Sequence, residues 1–131
     1  MKNILITGSV LNSDENSLEI YKKLVDIFNK DKYNVSSPID TMKFRGNDEE
    51  RYDRAIKLVK DANFIIAEMS IPSTGQGMEL QQAIIDKIPI LVIAKNGSKI
   101  SGLIKGSKGI IDILFYDDID DIFDEIINLI K

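Results

Sequence analysis

Two residue types that carry much of enzyme chemistry are missing from this chain, which has no cysteine and no histidine among its 131 residues. Their absence excludes disulfides, a cysteine nucleophile, a Ser-His-Asp triad and the usual zinc sites. Any catalysis must therefore rest on carboxylates, hydroxyls, tyrosine, lysine or arginine. We expect no metal ion and no cofactor, and the lack of cysteine suits the reducing cytoplasm, where we expect the protein to reside.

Long hydrophobic runs and basic clusters are missing as well. No apolar segment approaches the roughly 20 residues that span a bilayer, and the chain enters its first predicted strand without a signal sequence. The net charge is −4, with no basic run. We therefore expect neither a membrane nor a nucleic-acid polymer as a partner. The length predicts one domain, residues 1–131.

Short apolar runs alternate with helical patterns along the whole chain. Strands are predicted at 3–7, 33–36, 63–68, 90–94 and 110–116, and amphipathic helices lie between them, one of them at 77–87. Residues 37–48 are predicted to be a loop. This alternation indicates an α/β fold, a doubly wound (flavodoxin/Rossmann-like) five-stranded parallel sheet in the order 2-1-3-4-5 with helices on both faces.

Three loops with similar chemistry follow the carboxyl ends of strands in this sheet. They are Gly8-Ser9 after strand one, Ser73 to Glu79 after strand three, and Gly97 to Gly102 after strand four. Each contains glycine and a hydroxyl side chain. Ligands of such folds bind at this edge, near the point where strand order reverses. The three loops therefore predict one binding site.

The second of these loops is the most informative. It ends in Gly75-Gln76-Gly77, and Glu79 is predicted in the first turn of the helix that follows. Backbone N–H groups at a helix N-terminus favour anions, so the loop offers an anion site beside a lone acid. An ordinary strand-to-helix loop with a capping hydroxyl is the alternative interpretation.

Other patterns indicate less. Gly8-Ser9 lacks the Walker lysine and the three glycines of the dinucleotide fingerprint. The acids between residues 117 and 125 are typical of a helix start and a solvated face rather than a cation site. Arg45 and Arg51 lie where they can hold a base or phosphate, although a surface role is the simpler interpretation.

Taken together, these motifs resemble the nucleoside 2-deoxyribosyltransferase family, and most closely its 2'-deoxynucleoside 5'-monophosphate N-hydrolase branch. The specific part of the resemblance is the Pro-Ser-x-Gly-x-Gly-x-Glu-Leu segment at residues 72–80. The strand that ends in Gly8-Ser9, the pair Ala67-Glu68 and the stretch from Ile100 to Gly106 also fit.

The resemblance implies cleavage of the bond between base and deoxyribose, with Glu79 as the nucleophile that forms a glycosyl-enzyme. It implies that serines hold the 5'-phosphate, the last of them often reaching a neighbouring subunit. The substrate-binding residues implied in this way are Gly8, Ser9, Ser73, Gly75, Gly77 and Ser101. A nucleoside 5'-monophosphate is then the expected ligand, and a homodimer the expected assembly.

Two positions depart from the family pattern. Leu5 stands where the family has a tyrosine that orients the nucleophile, and Ala55 where it has an aspartate that assists the departing base. Asp53 is near in sequence, but it lies about 200° around a helix from Ala55 and should point elsewhere.

Hydrolysis of a (deoxy)nucleoside 5'-monophosphate is the leading hypothesis. A nucleotide-binding module without turnover, a nucleoside deoxyribosyltransferase and an unrelated doubly wound signalling or scaffold domain stay open as alternatives.

Overall fold

A five-stranded parallel sheet forms the centre of the computed structural model, which describes residues 1–30 and 32–131. The strands are β1 (Asn3–Thr7), β2 (Asn34–Ser36), β3 (Phe64–Glu68), β4 (Ile90–Lys95) and β5 (Ile110–Tyr116). All neighbours pair in parallel, in the order β2-β1-β3-β4-β5. The predicted fold class and strand order are confirmed.

Helices connect successive strands, because parallel neighbours can be joined only by a crossover. They are α1 (Glu15–Lys30), α2 (Pro38–Lys43), α3 (Asp48–Asp61), α4 (Thr74–Ile85), α5 (Gly102–Gly106) and α6 (Phe123–Ile130), the last preceded by a short 3₁₀ helix (Ile119–Ile122). No helix in the described part of the chain is long and apolar enough to cross a membrane.

The sheet carries a hydrophobic core on each face. Successive strand residues point to opposite faces, so Ile4 and Ile6 pack with α1 and α6, whereas Leu5 packs with α3 and α4. The central strand β3 is buried along its whole length. The prediction of helices on both faces is confirmed, and the face of α3 and α4 is the one that bears the candidate site.

Helix α2 lies inside the predicted loop 37–48, so that prediction is wrong. The side chain of Ser37 accepts a hydrogen bond from the Ile39 amide at 3.2 Å, and the Ser37 amide donates to the Asp40 carboxylate at 3.0 Å. Pro38 occupies the first turn, where its missing N–H and fixed φ favour a helix. The sequence reasoning treated this proline as a breaker when it marks a helix start.

Helix α4 begins at Thr74, three residues earlier than predicted. Ser73 caps it, because its Oγ accepts a hydrogen bond from the Gln76 amide at 3.3 Å. Gly75 and Gly77 therefore lie inside the helix rather than in a loop, and Glu79 lies in its second turn rather than its first. The correction moves the acid one turn away from the anion-favouring helix end.

Gly8 is the glycine that packing requires. A Cβ built there would lie 2.3 Å from the hydroxyl oxygen of Tyr21, and that hydroxyl donates a hydrogen bond to the Ser9 carbonyl at 2.9 Å. Tyr21 is buried in the core, so it has little room to move. The close approach of α1 to the loop after β1 therefore excludes any side chain at residue 8.

We predict that Gly8→Ala lowers the free energy of unfolding by about 1–3 kcal/mol, the usual cost of overpacking a well-filled core. Urea denaturation would measure it. Gly77→Ala is the control, since nothing lies within 4 Å of a Cβ there. That helical glycine-to-alanine change should raise stability by roughly 0.5–1 kcal/mol. If Gly8→Ala were as stable as the wild type, the close packing of Tyr21 against residue 8 would be contradicted.

Candidate active site

One cavity of about 970 Å³ opens at the carboxyl ends of β1 and β3. Strand order reverses between these two strands, which is where ligands of doubly wound sheets bind. The cavity is lined by all seven residues that the sequence singled out: Gly8, Ser9, Ser73, Gly75, Gly77, Glu79 and Ser101. The structure thus brings together residues from distant parts of the chain, from the loop after β1 to the start of α5.

The N-terminus of α4 forms one wall of this cavity. Ser73 caps the helix, and Thr74, Gly75 and Gly77 line the cavity beside it. A side chain at either glycine would meet no atom within 4 Å, so the first turns of α4 are open on their outer side. The free N–H groups at this end, together with the helix dipole, make the wall attractive to an anion.

Gln76 ties this helix end to the sheet, and the sequence reasoning gave it no role. Its Nε2 donates hydrogen bonds to Thr7 Oγ1 at 3.0 Å and to the Glu68 carbonyl at 3.1 Å. If the Gln76 amide were flipped, its Oε1 would face the Glu68 carbonyl oxygen, and neither atom can donate a hydrogen bond. The contacts therefore fix the orientation of the amide. Gln76 Oε1 is buried without a hydrogen-bond partner among the described residues.

Two serines from other loops reach the same cavity. Ser9 is buried, and its Oγ accepts a hydrogen bond from the Asn12 amide at 3.2 Å. Ser101 is exposed and caps α5, where its Oγ accepts from the Leu103 amide at 3.3 Å. Both hydroxyl hydrogens stay available to donate to a ligand. Ser101 lines the cavity of its own chain.

Glu79 is the only carboxylate among the described residues that line the cavity. Burial raises the pKa of its carboxyl from 4.5 to about 7, and the positive charge of Arg54 opposes that rise. The carboxylate form, which is the nucleophilic one, therefore coexists with the acid near neutral pH. Perturbed acids of this kind are frequent at reaction centres.

Leu5 and Ala55 both line the cavity, so the two positions that depart from the family pattern are part of the site. Neither supplies a polar group. Asp53 is exposed and is not among the lining residues, as its angular position on the helix predicted. No described carboxylate replaces the acid that Ala55 lacks.

Arg54 lines the cavity instead, and the sequence reasoning overlooked it. Its Nη1 donates a hydrogen bond to Thr41 Oγ1 at 2.9 Å, and its guanidinium lies 5.3 Å from the centroid of the Phe44 ring. Arg51, Ala55 and Leu58 line the cavity from the same helix. Their spacing of three or four residues marks one helix face, and that spacing was the signal that could have identified Arg54.

A second, smaller cavity of about 340 Å³ lies on the other side of the carboxyl edge, between the ends of β3 and β4. Gly97 lines this cavity, whereas Ser101 lines the first, so the third predicted loop divides between the two. The hydroxyl of Tyr116 donates to the carboxylate of Glu68 beneath it. Burial and the nearby Glu68 charge raise the pKa of Tyr116, which keeps this phenol protonated.

Comparison with known proteins gives sequence relatives of one kind. No family model matches the chain. It is 26% identical over 99% of its length to a protein of Methanosarcina mazei named "Putative 2'-deoxynucleoside 5'-phosphate N-hydrolase 1", of which the alignment covers 84%. Proteins of the same name from Methanosarcina barkeri and Methanococcoides burtonii are 30% and 34% identical. Those alignments span about half of each relative, 48% and 46%.

Solved structures with the same fold point in the same direction. The CMP N-glycosidase BcmB of Clostridium botulinum superposes with a TM-score of 0.73 at 15% identity, covering 95% of this chain and 98% of the other. A 2-deoxyribosyltransferase of Bacillus psychrosaccharolyticus gives a TM-score of 0.71 at 18% identity, covering 92% and 90%. That of Leishmania mexicana gives 0.69 at 16%, covering 98% of each chain.

At these identities the solved structures establish the fold, while the sequence relatives carry the kinship. The resemblance drawn from residues 72–80 is confirmed: the names of the sequence relatives and the shared fold together support the nucleoside 2-deoxyribosyltransferase family for this chain.

Proposed function

We propose that this protein hydrolyses the N-glycosidic bond of a (deoxy)nucleoside 5'-monophosphate and releases the free base and a sugar 5-phosphate. One observation carries the proposal. Glu79 is the single described carboxylate of the cavity, and it lies in the second turn of the helix whose N-terminus attracts anions. The names of the sequence relatives and of the N-glycosidase with the same fold support this choice.

The reaction divides into two steps at the anomeric carbon. A carboxylate oxygen of Glu79 attacks that carbon, the bond to the base nitrogen breaks, and a glycosyl ester forms. Water then attacks the same carbon and frees Glu79, so the configuration is retained. Burial of Glu79 leaves its carboxylate poorly hydrated, which strengthens it as a nucleophile.

The phosphate would bind at the start of α4. Ser73, Ser9 and Ser101 offer hydroxyl donors, and the helix end offers backbone N–H groups. The sugar then lies between the phosphate and Glu79, which keeps the two negative charges apart. Lys99 and the two arginines of α3 give the rest of the cavity a positive balance, and that balance also suits a dianionic ligand.

Binding without turnover is the second candidate, favoured by one observation. Leu5 and Ala55 present only apolar atoms to the cavity, and general acid assistance is worth on the order of 10²–10⁴ in rate. Transfer of the sugar to a second base is the third. Adding a free base to the assay separates transfer from hydrolysis, since transfer yields a new nucleotide.

Replacing the nucleophile is the direct test. Incubation with a panel of monophosphates should release free base, and Glu79→Gln should reduce that release by roughly 10⁴–10⁶-fold, the range for losing one member of a covalent catalytic unit. Calorimetry should still detect monophosphate binding to the variant. Asp53→Asn, an exposed change on α3 outside the cavity lining, should keep full activity. Binding without release by the wild-type protein would favour the second candidate.

The phosphate assignment has its own test. Ser73→Ala should weaken monophosphate binding by about 1–3 kcal/mol, the scale for a hydrogen bond to a charged group, and leave nucleoside binding almost unchanged. Ser73→Ala also removes the cap of α4, so a second variant must show the effect of losing a cap alone. Asn47→Ala removes the cap of α3 outside the cavity lining, and it should leave monophosphate binding unchanged. Equal weakening of nucleotide and nucleoside would exclude the phosphate role of Ser73.

A homodimer is the assembly that we propose, because large apolar side chains surround the cavity mouth. Leu11 is 97% exposed and Leu103 is 87% exposed, and Tyr52 and Met78 are more than half exposed beside them. We predict that sedimentation at micromolar concentration gives about twice the chain mass of 14.7 kDa, and that Leu103→Glu shifts the protein to the monomer. A wild-type monomer under those conditions would exclude the homodimer.

A further inference from the structure

Among the described residues, the cavity lining has no second carboxyl group that could protonate a departing base. Its ionisable lining groups among the described residues are the carboxylate of Glu79, the phenol of Tyr52 and three cations, Arg51, Arg54 and Lys99. In the proposed mechanism Glu79 acts as the nucleophile, so it does not donate a proton to the base. Tyr52 is 54% exposed, so water rather than the cavity surrounds much of its side chain. A base that leaves this site must therefore leave without a proton from a carboxyl group, or not at all.

Arg54 is the cation that the structure holds in place. Its guanidinium is half-buried, donates to Thr41 Oγ1 at 2.9 Å and lies 5.3 Å from the centroid of the Phe44 ring. Arg51 and Lys99, by contrast, are exposed. A guanidinium that is already oriented loses little freedom when it binds a further acceptor.

Arg54 and Glu79 both line the cavity without forming an ion pair. No pair within 4.0 Å joins them in the described part of the chain, yet the charge of Arg54 still acts on the Glu79 carboxyl. A direct pair would neutralise the nucleophile. The one cavity therefore holds, unpaired, a group that can donate electrons to the anomeric carbon and a group that can stabilise negative charge.

We infer that Arg54 is a catalytic residue that stabilises the departing base as an anion, and that the substrate is therefore a pyrimidine nucleoside 5'-monophosphate of the uracil type. This inference rests on the proposed function and adds the leaving-group chemistry and the substrate class.

The electrons balance without a proton donor. As Glu79 attacks the anomeric carbon, the pair of the carbon–nitrogen bond moves onto N1 of the base and spreads to its O2 oxygen. The Arg54 guanidinium donates hydrogen bonds to that oxygen, and such donors are worth most where charge develops in a water-poor site. The released anion takes its proton from solvent, and the water of the second step completes the hydrolysis.

Uracil-type bases suit this arrangement because two carbonyl groups share the charge left on N1. Cytosine forms a poorer anion, and purines usually leave only after a ring nitrogen has been protonated, for which the described lining of the cavity offers no second carboxyl group. We therefore expect turnover in the order 5-fluoro-dUMP, dUMP, dCMP, with purine monophosphates slowest.

The test compares wild type with Arg54→Met and Arg54→Lys on that series. Arg54→Met should slow dUMP hydrolysis on the order of 10²–10³-fold, the usual loss of one such donor. It should slow 5-fluoro-dUMP markedly less, because that base needs less help. Arg54→Lys should recover part of the rate. Lys60→Met, which removes an exposed cation of the same helix outside the cavity lining, should leave all rates unchanged.

A pH profile gives a second readout that a structural role would not move. The carboxylate form of Glu79 increases with pH, so kcat/KM of the wild type should rise through about pH 7 and level off above it. Loss of the Arg54 charge removes an attraction that favours the carboxylate. The rise should therefore move to higher pH in Arg54→Met. It should remain near the wild-type position in Arg54→Lys, which keeps the charge at this position, and in Lys60→Met, which removes a charge outside the cavity lining.

The outcomes separate this inference from the proposed function. If the wild-type protein turns over but Arg54→Met slows every base equally, or if purine substrates are the fastest, the Arg54 inference is overturned and the hydrolase proposal stands. If the wild-type protein releases no base from any monophosphate, both are overturned.

Discussion

The amide of Gln76 is the contact on which the site depends. Its Nε2 bridges the ends of β1 and β3 through Thr7 and the Glu68 carbonyl, and so it fixes the start of α4 at the point where strand order reverses. Ser73 precedes this residue by three positions and Glu79 follows it by three, so each is a neighbour of Gln76 along the surface of the helix.

The sheet was predictable from the sequence, because buried parallel strands are short continuous apolar runs bounded by turn residues. The residues at which the helices begin were harder to predict. Pro38 was placed in a loop, and Gly75 and Gly77 at the end of another, yet each lies within the first turns of a helix capped by a serine. A cap hydrogen bond outweighs a low intrinsic propensity at these positions, and a window of sequence does not show which serine makes it.

Some residues of the candidate site could likewise be predicted from the sequence, and others could not. Ser73 and Glu79 could be found because they share one short segment whose pattern is specific. Arg54 could not, because what positions it is a hydrogen bond to Thr41 and the ring of Phe44, both on a helix or helix end that the sequence reasoning had taken for a loop. An error in the predicted secondary structure thus concealed a cavity-lining side chain on a different helix.

Charge balance accounts for why such a site needs arginine. Burial raises the pKa of Glu79 from 4.5 to about 7 despite Arg54, so desolvation outweighs the attraction between them. A phosphate dianion entering the cavity adds a repulsion that would raise this pKa further and remove the nucleophile near neutral pH. In the proposed binding mode the helix end of α4 holds the phosphate away from Glu79, and three cations against one carboxylate among the described lining residues offset its field. Without that excess of positive charge, a bound phosphate would favour protonation of the proposed nucleophile.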